Sequence, residues 1–333
     1  MTIKVGINGF GRIGRNVLRG ILEAGRKDIE VIAINDLGPV ETNAHLLQFD
    51  SVHGRFPGTV EVVEGGIDAG SGPILVTAER DPSKLPWDSV DIALECTGIF
   101  TDRDKAALHL QNGSKRVLVS APASGADKTV VYGVNHDSLT SDHLVVSNAS
   151  CTTNCLAPVA MVLNEKFGIK TGYMTTIHSY TGDQPSLDTM HKDLYRARAA
   201  ALSMIPTSTG AAKAVALVLP DLEGKMDGAA IRVPTPNVSC VDLKFLTEKI
   251  TSVEAINTAI KEASMGALKG VLGYDENSLV SIDFNHAPES STFAPQQTKV
   301  LPSGMARILS WYDNEWGFSN RMADTAVAMG KLI

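Results

Sequence analysis

Apolar and polar positions follow two regimes along the chain. In the first half, short apolar runs alternate with helical spacing. Ile3–Asn8 and Val31–Asn35 are runs with β-branched residues. Between them, Arg12–Glu23 places Ile13, Val17, Leu18, Ile21 and Leu22 on one side of a predicted helix. Val90–Cys96 and Lys115–Ser120 predict two more strands, with a helix over Asp104–Gln111. Strand, helix, strand, repeated, argues for a parallel sheet with crossover helices. The second half reads differently. Val238–Leu246 and Ser278–Asn285 are longer apolar or alternating runs, and Ser252–Ser264 and Asp324–Lys331 are helical in pattern. The expected architecture is α/β: a Rossmann-type parallel-sheet domain plus an α+β domain with a larger mixed or antiparallel sheet. The boundary falls near Ser147–Cys151. It divides residues 1–150, joined by 315–333, from residues 151–314. Periodicity alone does not place the last helix.

Length agrees with two domains, since the chain has 333 residues and a domain usually takes ~100–200. The net charge of −7 speaks against nucleic acid as a main partner. No apolar stretch reaches the ~18 residues of a membrane span, and the first residues lack the pattern of a secretory signal. Cys96, Cys151, Cys155 and Cys240 are too sparse for a disulfide scaffold. They also lack the second pair that a zinc site needs, so no metal is expected. A reducing, cytoplasmic setting fits best.

Gly9-Phe10-Gly11-Arg12-Ile13-Gly14 follows a predicted strand and opens a predicted helix. In that context G-x-G-x-x-G is a dinucleotide-binding turn, with the helix N-terminus facing the pyrophosphate. The next strand ends at Asp36, 22 positions after Gly14 (36 − 14). A carboxylate there bonds a ribose hydroxyl and repels a 2′-phosphate, which favours NAD. The blander alternative, a Gly-rich surface turn with a strand-end Asp, explains fewer of these features.

Ser147-Asn148-Ala149-Ser150-Cys151-Thr152-Thr153-Asn154-Cys155 precedes a helical pattern at Leu156, Val159, Ala160 and Leu163. Cys151 thus stands near a helix N-terminus, where the dipole favours thiolate. Cys155, one turn later, reads as a small buried apolar residue, as do Cys96 and Cys240 in apolar strands. Of eight histidines, His178 is the best base, since it ends the run Tyr173–Ile177 ahead of a polar loop. Spacing alone leaves the other histidines open. Lys192, Arg196, Arg198 and Arg232, with Thr207-Ser208-Thr209-Gly210, are the groups a phosphate site needs. A solvated basic face is the commoner fate of any single arginine.

The stretch Ser147–Cys155 resembles the active-site signature of the glyceraldehyde-3-phosphate dehydrogenases. Ile7–Arg15, Thr175–His178, Pro206–Val215, Arg232–Val238 and Trp311–Asn320 are similar to that family as well. The resemblance implies phosphorylating oxidation of glyceraldehyde 3-phosphate with NAD and inorganic phosphate, with Cys151 as nucleophile and His178 as base. It implies a substrate-phosphate pocket at Thr181, Asp183, Arg196 and Arg232, and an attacking-phosphate pocket at Ser150, Thr152, Thr209 and Gly210. Cofactor contacts are implied at Gly9, Gly11, Arg12, Ile13, Asp36, Arg80, Thr97, Ser120 and Asn314, the last orienting the nicotinamide. It also implies a homotetramer, with the loop around 182–203 reaching a neighbouring subunit. Two departures stand out. Thr189-Met190 replaces a Leu-Pro pair of many NAD-specific members, so some NADP use is expected. Tyr195 stands where relatives often have a basic residue.

Erythrose-4-phosphate dehydrogenase shares the cysteine signature but tends to lack the run that stands intact at Thr209–Val215. Aspartate-semialdehyde dehydrogenase shares the architecture without the nonapeptide. A non-catalytic nucleotide-binding regulator is a third reading, disfavoured by the intact Cys151 and His178.

Overall fold

The computed structural model describes residues 2–333, and the chain divides into two compact units. The first comprises the residues up to Ser150 together with Phe318–Ile333; the second is Cys151–Gly317.

In the first unit, β1 (Ile3–Asn8) leads through the glycine turn into α1 (Arg12–Glu23) and then β2 (Ile29–Asn35). The strands β3 (Pro73–Thr77), β4 (Ile92–Glu95), β5 (Arg116–Val119) and β6 (Val145–Ser147) follow. The sheet order is 128–129, β6, β5, β4, β1, β2, β3, then the short strands Gly66–Asp68 and Glu61–Val63. All pairings from 128–129 through β3 are parallel; the last two are antiparallel. This is a Rossmann-type sheet whose central strands are buried on both faces, which explains their near-continuous apolar sequence. β1 and α1 have the bounds that periodicity predicts. The Val90–Cys96 run is trimmed to Ile92–Glu95, so Cys96 lies just past the strand and is partly exposed. The region expected as one helix over Asp104–Gln111 is a short α-helical turn, Arg103–Ala106, continuing as a 3-10 helix, Ala107–Asn112.

The second unit starts with α2 (Cys151–Phe167), which runs into β7 (Ile169–Ser179). Then come β8 (Ile205–Ser208), β9 (Met226–Val233), β10 (Ser239–Thr247), α3 (Val253–Met265) and β11 (Met305–Tyr312). Ser252 caps α3 by accepting from Ala255 N. The sheet order is β8, β9, β7, β10, β11, then Ser291–Phe293 and Leu272–Tyr274. It is mixed, because β7 and β9 run parallel while β7–β10 and β10–β11 are antiparallel. It has fewer strands than the first sheet, but its central ones are longer. Leu156, Val159, Ala160 and Leu163 of α2 pack with Met174, Leu243, Phe245 and Ile308 of the sheet in one core.

Ser278–Asn285 is not a strand. It holds a 3-10 turn, Ser281–Phe284, in which the Asp283 carboxylate accepts from Val280 N at 2.8 Å. Of its alternating apolar positions, Val280 and Ile282 face solvent and Phe284 alone is buried. The last helix, α4 (Trp316–Gly330), begins well before the predicted Asp324. Asp313 accepts from both Glu315 N and Trp316 N and so supplies its N-terminal start.

Candidate active site

Two places concentrate the predicted residues, one in each unit. In the first, a cavity of about 460 Å³ is lined by Gly9, Gly11, Asn35, Asp36, Arg80 and Thr97, among others. It lies at the carboxyl ends of parallel strands, where open α/β sheets bind ligands. The three glycines are needed for different reasons. Gly9 has φ +91°, and a Cβ there would stand 2.7 Å from Thr97 N. A Cβ on Gly14 would lie 2.2 Å from Gly9 O. A Cβ on Gly11 would meet no protein atom within 4 Å. Only Gly11, therefore, leaves room for something other than the protein, and a pyrophosphate at the helix start fits that room. Asp36 does more than its spacing suggests. Its Oδ2 accepts from Phe10 N and its Oδ1 from Gly38 N, both at 2.9 Å, so it ties the glycine turn to β2 while keeping acceptor capacity.

Sequence reasoning missed Glu95. Its buried carboxylate accepts from Thr97 N at 2.8 Å, from Thr97 Oγ1, and from Asn8 Nδ2 at 2.7 Å, fixing the turn that packs on Gly9. A charged residue closing the apolar run Ile92–Leu94 was the available signal. Arg12, Ile13 and Ser120 do not line the cavity. Arg12 is ion-paired with Asp50, because that buried carboxylate also receives Val52 N and His53 N and holds the guanidinium there. Asn314 belongs to the second unit.

The second unit carries Cys151 as the first residue of α2. His178 lies near the end of β7, on the face shared with the buried Met174 and Thr176, as period-two alternation requires. Cys151 Sγ is 3.6 Å from His178 Nε2. The parallel register of β7 and β9 sets His178 opposite Arg232. Tyr312, which sequence reasoning did not single out, stands below them. Its hydroxyl is 2.8 Å from Thr152 Oγ1 and 2.8 Å from Thr176 Oγ1, and its ring meets His178 edge-on at 5.9 Å. Only the paired register of β10 and β11 brings it there.

His178 Nδ1 has two competitors. It is 2.7 Å from Ser179 O and 2.7 Å from Arg232 Nη1. A proton on Nδ1 donates to the carbonyl and leaves Nε2 as a lone pair facing sulfur. Without that proton, Nδ1 accepts from the guanidinium, and Nε2–H points at sulfur instead. Burial, reinforced by the Arg232 charge, pushes His178 down to about 3, so the ring is neutral at ordinary pH.

The thiols also respond to burial. It raises Cys151 above an ordinary thiol, against the lowering expected from the helix start, and the strongest opposing influence is Arg232. Helix-terminal N–H groups act in the same direction as Arg232 but do not overcome desolvation. Cys155, fully buried, is pushed higher still, and Cys240 rises to about 12, consistent with inert core thiols. Cys96 also rises to about 12.

Of the predicted phosphate ligands, Asp183 and Arg196 pair at 2.6 Å, and Arg196 also approaches Asp193 at 3.4 Å. Thr209 Oγ1 accepts from Ala211 N at 3.1 Å, so Thr209-Gly210 opens a short helix with its hydroxyl engaged. Thr181 and Gly210 lie on the loops that follow β7 and β8. Thr152 is buried against Tyr312. Ser150, the residue before the nucleophile, closes the first unit. Among the described residues, no group of His, Cys, Asp and Glu could hold a metal ion, and no helix is long and apolar enough to cross a membrane.

Comparison with known proteins comes out the same way for both units. Residues 3–103 match the family described as glyceraldehyde 3-phosphate dehydrogenase, NAD binding domain, and residues 150–314 match its C-terminal domain. The glyceraldehyde-3-phosphate dehydrogenase of Xanthobacter flavus is 73% identical over 334 residues, covering 100% of both chains. That of Cereibacter sphaeroides is 72% identical over 333 residues, again with 100% of both covered. That of Pseudomonas aeruginosa is 58% identical, covering 99% of this chain and 98% of its own.

Proposed function

The chain belongs to the glyceraldehyde 3-phosphate dehydrogenase family, and from that premise we propose that Cys151 and His178 carry out the phosphorylating oxidation of glyceraldehyde 3-phosphate. Its cofactor is NAD. The observation that carries the residue assignment is the 3.6 Å contact of Cys151 Sγ with His178 Nε2 at the start of α2, under the Arg232 charge.

Cys151 Sγ passes its proton to His178 Nε2 and adds as thiolate to the aldehyde carbon; the carbonyl π bond breaks, and its oxygen takes that proton back from Nε2 to give a hemithioacetal. The chemistry that NAD would supply when bound is a hydride acceptor for that carbon. His178, with Nδ1–H donating to Ser179 O, takes the hemithioacetal hydroxyl proton at Nε2. The thioester on Cys151 is then cut by inorganic phosphate, and the acyl phosphate 1,3-bisphosphoglycerate leaves with sulfur restored as thiolate. Splitting one hard step into two is the gain of the covalent route. Arg232 and Arg196, with Thr181 and Asp183, hold the substrate phosphate in this reading. Ser150, Thr152, Thr209 and Gly210 hold the attacking phosphate. Gly9, Gly11, Asp36, Arg80 and Thr97 hold the cofactor with Arg12, Ile13 and Ser120, and Asn314 orients the nicotinamide. The cofactor domain is 1–150 with 315–333, and the catalytic domain is 151–314.

A homotetramer is part of the same reading. Leu187, Met190, Leu194 and Leu202 all stand exposed on the loop that would reach a neighbour. Free thiols at all four cysteines suit a reducing cytoplasm. The exposed Met190 also fits some use of NADP beside NAD.

The test is NADH formation from glyceraldehyde 3-phosphate and NAD, with and without phosphate. Steady turnover with phosphate, and a burst of about one equivalent per site without it, is the signature of a thioester. Equal steady rates would mean that water cuts the thioester, and the attacking-phosphate assignment would fall.

A further inference from the structure

Next to His178 in sequence, Ser179 joins a buried polar cluster with Ser239 and Asn314; the two serine hydroxyls have no part in the mechanism above. Asn314 Oδ1 accepts from Ser179 Oγ at 2.8 Å and from Ser239 Oγ at 2.9 Å. Ser239 Oγ itself accepts from Ser179 N at 3.0 Å, so its hydroxyl hydrogen is free to point at Asn314.

An amide has a donor end and an acceptor end, and the surrounding network decides which goes where. Turning Asn314 around would put its NH₂ against two hydroxyls. The one remaining acceptor for the Ser239 hydrogen is Ser179 Oγ at 3.5 Å, and at least one buried hydroxyl hydrogen would have no acceptor at all. The observed orientation satisfies both.

The backbone is built to keep this arrangement. Asp313 receives Glu315 N and Trp316 N on one oxygen, and Asn237 Nδ2 and His286 N on the other, so the turn that carries Asn314 is pinned on both sides. Val238, just before Ser239, has φ +67°. A β-branched residue in the left-handed region is strained, and such strain persists only where its surroundings enforce it. Here it turns the chain between Asn237, held by Asp313, and Ser239, which starts β10 opposite Tyr312.

We infer that Ser179 and Ser239 are positioning residues that lock Asn314 with its oxygen inward, leaving its NH₂ as the end that meets the nicotinamide. The group recognised is then the carboxamide oxygen of the cofactor, not its nitrogen. This rests on Asn314 being the nicotinamide-orienting residue. Ser179 serves twice, since its carbonyl also lies 2.7 Å from His178 Nδ1 and accepts from it in the tautomer that leaves Nε2 as the base.

The experiment compares binding of NAD and of its 3-acetylpyridine analogue, which keeps the carbonyl oxygen but has no NH₂. Binding is read for the intact protein, for Asn314→Ala and for Ser179→Ala/Ser239→Ala. Asn314→Ala should weaken both dinucleotides about equally, by about tenfold. The double serine variant should weaken NAD by about fivefold. It should also deliver deuterium from the 1-deuterated aldehyde to both faces of the ring, where the parent uses one. If Asn314→Ala weakens NAD and spares the analogue, the amide is reversed and the inference falls while the nicotinamide reading stands. If neither dinucleotide is affected, that reading falls and takes the inference with it. Unchanged binding and unchanged stereochemistry in the double variant would overturn the serine lock. Should the double variant not fold, Ser239→Ala alone should show the same stereochemical leak at reduced size, and a single-faced product there would count against the lock.

Discussion

Helices α1 and α2 both begin a few residues after a parallel strand of the first sheet ends, yet their first turns are furnished in opposite ways. The start of α1 is stripped: Gly11 is exposed and its missing Cβ faces open space. The start of α2 is enclosed, with Thr152, Thr153 and Asn154 buried behind Cys151. A polyanion needs reachable N–H groups and no side chain in the way. A nucleophile needs a dry pocket, and there the same N–H groups are not enough, because burial raises the thiol more than they lower it. The second site therefore depends on a charge brought from elsewhere in the sheet, Arg232.

Five substitutions and one change of pH would break or sharpen that contrast. The largest effect is expected from Cys151→Ser. Turnover should fall by at least roughly 10³-fold, as when a covalent nucleophile is removed, with an unchanged circular dichroism spectrum. Appreciable remaining turnover would place the nucleophile elsewhere. Next comes His178→Asn, expected to slow single-turnover NADH formation by about 10²–10⁴-fold, the usual worth of a positioned base. An unaltered rate would mean another base acts.

The first helix start separates its two glycines. Gly14→Ala forces a Cβ onto Gly9 O, and should lower unfolding free energy by about 1–3 kcal/mol, as overpacking does. Gly11→Ala should leave the unfolding midpoint in place and weaken NAD binding by about tenfold in titration calorimetry. Equal behaviour of the pair would show that Gly11 is not a ligand position. Asp36→Ala should move the ratio of kcat/KM for NAD over NADP downward. Because Asp36 also holds Phe10 N and Gly38 N, both cofactors should lose some affinity.

The smallest effect is one of pH. His178 is neutral down to about 3 in the folded chain, whereas the unfolded chain takes up the proton near 6.5. Between those values the unfolded state binds more protons, so this residue's share of stability is complete above 6.5 and drains away as pH falls toward 3. Denaturant titrations at pH 7 and pH 4.5 should therefore show a smaller acid loss in His178→Asn than in the parent. Parallel losses would contradict a buried neutral ring.

Much of this was readable beforehand, and what was not has identifiable causes. β1 and α1 matched their periodicity because both faces of β1 and one face of α1 are buried, so sequence and burial share one rhythm. Ser278–Asn285 misled because its alternation reflects a capped turn that buries Phe284 while Val280 and Ile282 face out. Met226–Val233 and Met305–Tyr312 gave little local signal, and they are the strands that deliver Arg232 and Tyr312. Cys151 could be picked out locally because a helix start is a local event. The contacts of Arg12 with Asp50 and of Tyr312 with Thr152 depend on side chains 38 and 160 residues apart, which no window spans.

The chain leaves the first unit at Ser150 and does not re-enter it until Phe318. The returning segment is tightly received. Thr325 Oγ1 donates to Asn148 Oδ1 at 2.8 Å, Arg116 Nη2 donates to Leu332 O at 2.8 Å, and Gly330 packs where a Cβ would lie 2.5 Å from the Ile3 side chain. On a ribosome this reverses the usual order of maturation. The second unit has emerged complete before the first has its final helix, so the nucleotide-binding half, begun earliest, is finished last. A nascent chain stalled short of its final residues would present a folded cysteine-bearing half joined to a sheet still waiting for its cover.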